Sequence, residues 1–138
     1  MKKEGRVQDK IALVTGAADG IGKSIATLLA SEGAFVYVAD VNDVLGAQTA
    51  TEIGGAYISL DVSQQAAWQN AMTVIVEKHG RLDILVNNAG IIGKGAQDPE
   101  HTTLDDWRKI HAINLDSVFL GCKYAIGAMK EHGGRSEE

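Results

Sequence analysis

A chain of 138 residues with a formal net charge of −5 has the size of one domain and the wrong sign for a general nucleic-acid or anionic-membrane binder. Small molecules or other protein chains are the expected partners. Cys122 is the only cysteine, which excludes an internal disulfide and a cysteine-based metal site and fits a reducing, cytoplasmic setting.

Residues 1–9 are polar and charged and lack the apolar stretch of a secretory signal; no later run is apolar enough to suggest a membrane span. The run Ile11 Ala12 Leu13 Val14 Thr15 then predicts a strand buried on both faces, and Gly16 lets the chain turn at its end. A helix is expected from Gly20, with Ile21, Ile25, Leu28 and Leu29 at helical spacing and Gly33 as its stop. A helix opening behind a glycine turn presents unpaired N–H groups and a positive dipole end, both suited to a pyrophosphate. Side chains at Gly20 and Gly22 would obstruct that approach. The second strand, 34–39, ends at Asp40, close to the offset of about 20 residues at which a carboxylate meets an adenosine ribose. Strand, glycine loop, helix and terminal carboxylate together predict a dinucleotide-binding unit.

Residues 41–55 predict a short, weakly amphipathic helix carrying Val44, Leu45, Ala47, Ala50 and Ile53, with Asn42 or Asp43 as its cap. Residues 57–60 predict a third strand, followed by Asp61, which either faces a ligand at the strand end or caps the next helix. That helix, 64–79, turns Ala67, Trp68, Ala71, Met72, Ile75 and Val76 to one side and closes at Gly80. His79 is read as a partner of the helix dipole, without chemistry. A fourth strand follows at 82–86 and ends in Asn87 Asn88 Ala89 Gly90. Strands alternating with helices at this spacing give an α/β fold, a doubly wound parallel sheet of about four strands in order 3-2-1-4.

Four motifs now stand in order: Thr-Gly-x-x-x-Gly-Ile-Gly at residues 15–22, Asp40, Asp61 Val62, and Asn87 Asn88 Ala89 Gly90. Together they resemble the short-chain dehydrogenase/reductase family. The resemblance implies hydride transfer between a nicotinamide cofactor and a secondary alcohol or ketone. It implies cofactor contacts at Gly16, Asp19, Gly20, Ile21 and Gly22, at Asp40, at Asp61 and Val62 against adenine, and at Asn88, Ala89 and Gly90 against the ribose. Asn87 would brace the sheet. The carboxylate of Asp40 favours NAD over NADP, and no metal is expected.

A glycine-bearing loop, 91–101, identifies no substrate. Thr103 with Asp106 resembles a capping box, and one long helix is expected from there to about His132, ended by Gly133 and Gly134. Ile110, Asn114, Val118, Cys122 and Met129 would share a stripe. An amide in an apolar stripe is ordinarily a satisfied core residue; the resemblance instead makes Asn114 catalytic, holding a water and the catalytic lysine, often with a local break in the helix. Cys122 is read as a small core residue, and His111 and Tyr124 receive no role.

The family's active site also needs a tyrosine followed four residues later by a lysine. After Tyr37, Tyr57 and Tyr124 those positions hold Val41, Asp61 and Ala128. The expected organisation is a polar tail at 1–9, a truncated dinucleotide-binding domain at 10–134 and a polar tail at 135–138. The chain would bind cofactor without turnover, a homo-oligomer is expected, and the isolated chain would self-associate or dissolve poorly unless another chain or the tail covers the free edge of strand four. The competing reading is a non-catalytic dinucleotide-binding or interaction module.

Overall fold

A computed structural model describes residues 4–93 and 98–131 of the chain. Four parallel strands, β1 (Ile11–Thr15), β2 (Phe35–Asp40), β3 (Ala56–Ser59) and β4 (Ile84–Val86), form one sheet in the order β3-β2-β1-β4. This is the expected α/β Rossmann arrangement. β1 pairs with β2 through Ile11 opposite Phe35 and with β4 through Ala12 opposite Ile84. Helices α1 (Gly20–Ser31), α2 (Asp43–Ile53) and α3 (Gln65–His79) connect the strands, and α4 (Leu104–His111) and α5 (Ser117–Glu131) follow β4.

Alternation along the strands builds two unlike cores. Leu13, Tyr37 and Ile58 join Trp68, Ile75 and Leu82 beneath α3 and α5, whereas Ala12, Val14, Val36 and Val38 meet Ala26 and Ala50 beneath α1 and α2. The second side is lined by small residues, so α1 and α2 lie close to the sheet. Residues 5–10 run along the end of α1, where Val7 N–H donates to Glu32 and Asp9 N–H to Gly33.

The sequence periodicity misplaces the faces of α1 and α2. On α1 the buried positions are Gly22 and Ala26, while Ile21 and Leu28 are 76% and 61% exposed. On α2 they are Gly46, Thr49 and Ala50, with Val44 outside. Close packing selects small residues here; a Cβ on Gly46 would lie 2.2 Å from the Tyr57 ring. The face of α3 is as expected, and left-handed Gly80 ends it. α2 is capped by Asn42, which accepts from Leu45 N–H.

The long helix expected after Thr103 is divided. Thr103 caps α4 by accepting from Asp106 N–H, but Ala112–Asp116 forms a π-helical turn before α5 begins. The extra residue in this turn shifts the register, so α5 buries Ser117, Gly121, Ala125, Ala128 and Met129. Of the expected stripe only Met129 is buried; Asn114 and Val118 are exposed. The Ser117 hydroxyl donates back to the Ile113 carbonyl, satisfying a backbone group within the turn. Residues 132–138, including the expected helix stop and tail, lie outside the described residues.

His79 departs from its dipole reading. Its ring packs on Phe35 and Tyr37, and Nε2 lies 2.8 Å from the Tyr37 hydroxyl. Burial first, then Lys78 and Arg81, push its pKa below the ordinary value of 6.5, so the fold prefers the neutral ring. Between pH 6.5 and the lowered folded value, the unfolded chain binds the extra proton. Stability should therefore fall as the pH drops through that window. Urea midpoints at pH 7.5 and 5.5 will show this loss in the native chain and a smaller one in His79→Gln.

Candidate functional site

The carboxyl ends of the strands surround a cavity of about 430 Å³, within the roughly 300–1,000 Å³ usual for ligand sites. Gly16, Asp19, Gly20, Ile21, Gly22, Asp40, Asp61, Val62, Asn88, Ala89 and Gly90 all line it, together with Ile91 and Ile113. Five chain segments far apart in sequence thus converge on one space.

The loop after β1 is shaped by glycines with different tasks. Gly16 takes φ +63°, and a Cβ there would lie 2.9 Å from Ala89 Cα. Gly20 takes φ +57° with open space where a side chain would be. Gly22 has no positive φ, yet its Cβ would lie 2.2 Å from the Gly16 carbonyl oxygen and 2.5 Å from the Asn88 amide nitrogen. Gly22, which also lines the cavity, thus lets α1 close against the loop.

At the start of α1, Asp19 occupies the N-cap in an extended conformation, but its side chain makes no capping bond, and the first turn carries no acidic residue. α2 and α4 are capped by Asn42 and Thr103. Among the described residues no side chain partners the first N–H groups of α1, which border the cavity, a favourable setting for an anion.

Asp40 ends β2 on the cavity wall. Its Oδ2 accepts from Ala18 N–H at 3.1 Å, and its Oδ1 accepts from Val41 N–H at 2.8 Å and Asn42 N–H at 3.0 Å. A carboxylate has about four acceptor positions, so room for a ligand hydroxyl remains, chiefly on Oδ2. Beneath it the Tyr57 hydroxyl lies 2.8 Å from the Asp40 carbonyl and 2.6 Å from the Asp43 carboxylate. Burial and that carboxylate push the Tyr57 pKa up to about 12. Hydrogen bonds from Tyr57 and Ser59 hold Asp43 below the usual carboxylate range.

Asp61 combines both of its expected readings in part. It lines the cavity, and its Oδ1 accepts from the Ser63 N–H and hydroxyl in the turn before α3, whose N-cap is Gln64. Val62 offers its carbonyl to the Trp68 indole N–H at 2.9 Å.

After β4 the two asparagines face different ways, Asn88 in the cavity lining and Asn87 outside it. Asn88 Nδ2 donates to the carbonyls of Thr15 and Gly16, tying β4 to the loop after β1. Asn87 faces α5, donating to Cys122 Sγ at 3.7 Å. Thr15, given no role from sequence, is the hub: its buried hydroxyl donates to the Val86 carbonyl and accepts from the N–H groups of Asn88 and Ala89. The sequence signals were a hydroxyl at the end of an apolar strand and its place at the head of the glycine motif.

Asn114 stands outside the cavity lining but fixes part of it. Its Nδ2 donates to the Ile91 carbonyl and its Oδ1 accepts from Ile91 N–H, each at 2.8 Å. A side-chain amide thus pairs with the loop backbone as a neighbouring strand would, from within the π turn.

The described cavity lining includes no tyrosine, lysine, histidine or serine. The hydroxyls of Tyr37, Tyr57 and Tyr124 are bonded to His79, to Asp40 and Asp43, and to Gln65. Among the described residues Asp98, Glu100 and His101 form an exposed group with possible metal-ligand atoms, and none of them lines the cavity. No helix of the described residues is long and apolar enough to cross a membrane.

Comparison with known proteins places this geometry. The family model described as short chain dehydrogenase matches residues 10–136. A 3-beta-hydroxysteroid dehydrogenase of Comamonas testosteroni is 44% identical over 131 residues, 94% of this chain and 51% of the relative. A cyclopentanol dehydrogenase of Comamonas sp. (strain NCIMB 9872) is 47% identical over 133 residues, 92% of this chain and 52% of the relative. A solved structure described as ribose-5-phosphate isomerase from Brucella melitensis 16M superposes with a TM-score of 0.89 at 30% identity, covering 96% of this chain and 51% of that one. The chain spans about half the length of the curated relatives it matches.

Proposed function

This chain belongs to the short chain dehydrogenase family, and from that premise we propose that it forms the NAD-binding part of an oxidoreductase acting on a secondary alcohol or ketone. The observation that carries the reading is one cavity with an unfilled helix N-terminus on one wall and the Asp40 carboxylate on another. Such a cavity suits a dinucleotide: the N–H groups behind Gly20 would hold the pyrophosphate, and Asp40 would accept from the ribose hydroxyls. Asp61, Val62 and Ile21 would flank the adenine, while Asn88, Ala89 and Gly90 line the ribose. The bound nicotinamide supplies the hydride chemistry. Ile91, held by Asn114, would border the substrate side, and Asn114 is the residue proposed to hold a water and the catalytic lysine.

The same reading leaves the 138 residues without turnover of their own, since no Tyr-x-x-x-Lys pair stands in the sequence. A homo-oligomer is proposed on the exposed side chains of Leu104, Trp107, Leu115 and Phe119, and a cytoplasmic location on the single cysteine.

Preference for NAD tests the assignment. Like charges about 4 Å apart cost up to roughly 4 kcal/mol at an effective dielectric near 20, and each 1.4 kcal/mol is tenfold. Solvent and the three N–H groups on Asp40 soften the repulsion of a 2′-phosphate. We expect NAD⁺ to bind about ten- to several-hundredfold more tightly than NADP⁺ by calorimetry. Asp40→Asn, which keeps an acceptor but loses the charge, should lower that ratio at least about fivefold. Equal affinities in the native chain would refute the assignment.

A further inference from the structure

Ala18 lies in the loop between β1 and α1 and is almost completely buried. Its N–H donates to Asp40 Oδ2 at 3.1 Å, and its carbonyl accepts from the Thr49 hydroxyl at 2.8 Å. Two consecutive peptide planes are therefore fixed, one by the end of β2 and one by α2. The next two residues are Asp19 and Gly20, the cap and first residue of α1.

Thr49 behaves unlike the other threonines of these helices. Thr27, Thr51 and Thr73 each donate to the carbonyl four residues earlier in their own helix, the usual local alternative for a helical threonine. Thr49 is 1% exposed and sends its hydroxyl to a residue 31 positions away. Without it the Ala18 carbonyl loses this buried partner, and the plane joining Ala18 to Asp19 is free to turn.

We infer that Thr49 is a positioning residue for the dinucleotide, fixing the glycine loop so that the N-terminus of α1 and the Asp40 carboxylate face one ligand before it arrives. This inference rests on the cofactor reading above and deepens it. A loop already ordered in the free protein gives up less freedom on binding, so loss of the hydroxyl should appear in affinity.

Thr49→Val keeps the branched shape and removes the hydroxyl, Thr49→Ser restores it, and Thr51→Val removes an exposed hydroxyl from the same helix. In calorimetry with NAD⁺, Thr49→Val should raise the dissociation constant at least about fivefold, while the other two variants stay within about twofold of the native chain. In the free protein, exchange of the Ala18 and Asp19 amides followed by NMR should quicken at least about tenfold in Thr49→Val, with Leu13 and Val38 unchanged. Unaltered loop exchange, a parallel rise throughout the core, or failure of Thr49→Ser to restore affinity would overturn the inference. If the native chain shows no NAD⁺ binding, the cofactor reading fails; selective quickening of the loop then still upholds the Thr49 clamp, and its absence removes that too.

Discussion

Mixed with NAD⁺ and a panel of secondary alcohols, the 138-residue chain is expected to bind the cofactor and leave the alcohols unoxidised. Alcohol oxidation needs a group to take the hydroxyl proton, and a tyrosine of pKa about 10 is suited to that near neutrality only beside a cation. All three tyrosine hydroxyls are engaged elsewhere, and that of Tyr57 is moved further from neutrality by burial and Asp43. Proton transfer contributes roughly 10² to 10⁴ in rate, and substrate positioning contributes further, so turnover should lie at least about a thousandfold below 1 per second. Nicotinamide absorbance at saturating cofactor gives the measurement. Turnover near 1 per second would overturn the expectation, and Tyr124→Phe would then show whether the tyrosine between α3 and α5 is responsible.

The second large effect should separate two neighbouring glycines. In Gly22→Ala the new methyl would sit 2.2 Å from a backbone oxygen, which no side-chain rotation relieves, so α1 must shift away from the loop. Overpacking of this kind costs on the order of 3 kcal/mol, a fall of roughly 10 °C in melting temperature. In Gly20→Ala the methyl meets no protein atom, and the cost is the left-handed backbone, about 1 kcal/mol. On the cofactor reading proposed above, however, that methyl would stand in the way of a phosphate at the start of α1. Gly22→Ala should therefore lower stability more, and Gly20→Ala should lower NAD⁺ affinity at least about tenfold for a smaller thermal shift. Equal losses in both properties for the two variants would refute the division of labour.

The order of the strands was legible because every strand is short, apolar and followed by a turn signal, and because parallel neighbours need helical crossovers. The cavity lining was legible for a related reason: turn glycines and strand-end carboxylates occur where a doubly wound sheet opens. Bonds between distant polar groups were not legible. Thr15 and Thr49 look like ordinary β-branched positions until the fold brings the amides of Asn88 and Ala89, or the carbonyl of Ala18, within reach. Helix faces failed where small residues form the contact, since periodicity weights Ile21 and Val44 above Gly22 and Gly46. His79 was misread because its sequence neighbours suggest a helix end, whereas Phe35 and Tyr37 come from a strand more than forty residues away.

The π turn at Ala112–Asp116 is the one place in these helices where a change of length can be absorbed. A π turn holds one residue more than the α-helix it interrupts. Removing one residue from it would heal α4 and α5 into a continuous rod. Each residue turns an α-helix by about 100°, so a deletion within α4 or α5 would swing everything beyond it by that angle, whereas the wide π turn gives up its surplus residue with little change of phase. The narrow seam of Ser117, Gly121 and Ala125 would then stay beside Trp68, and the loss would fall on the turn from which Asn114 holds Ile91. A single-residue deletion there is therefore milder for packing than the same deletion one turn to either side.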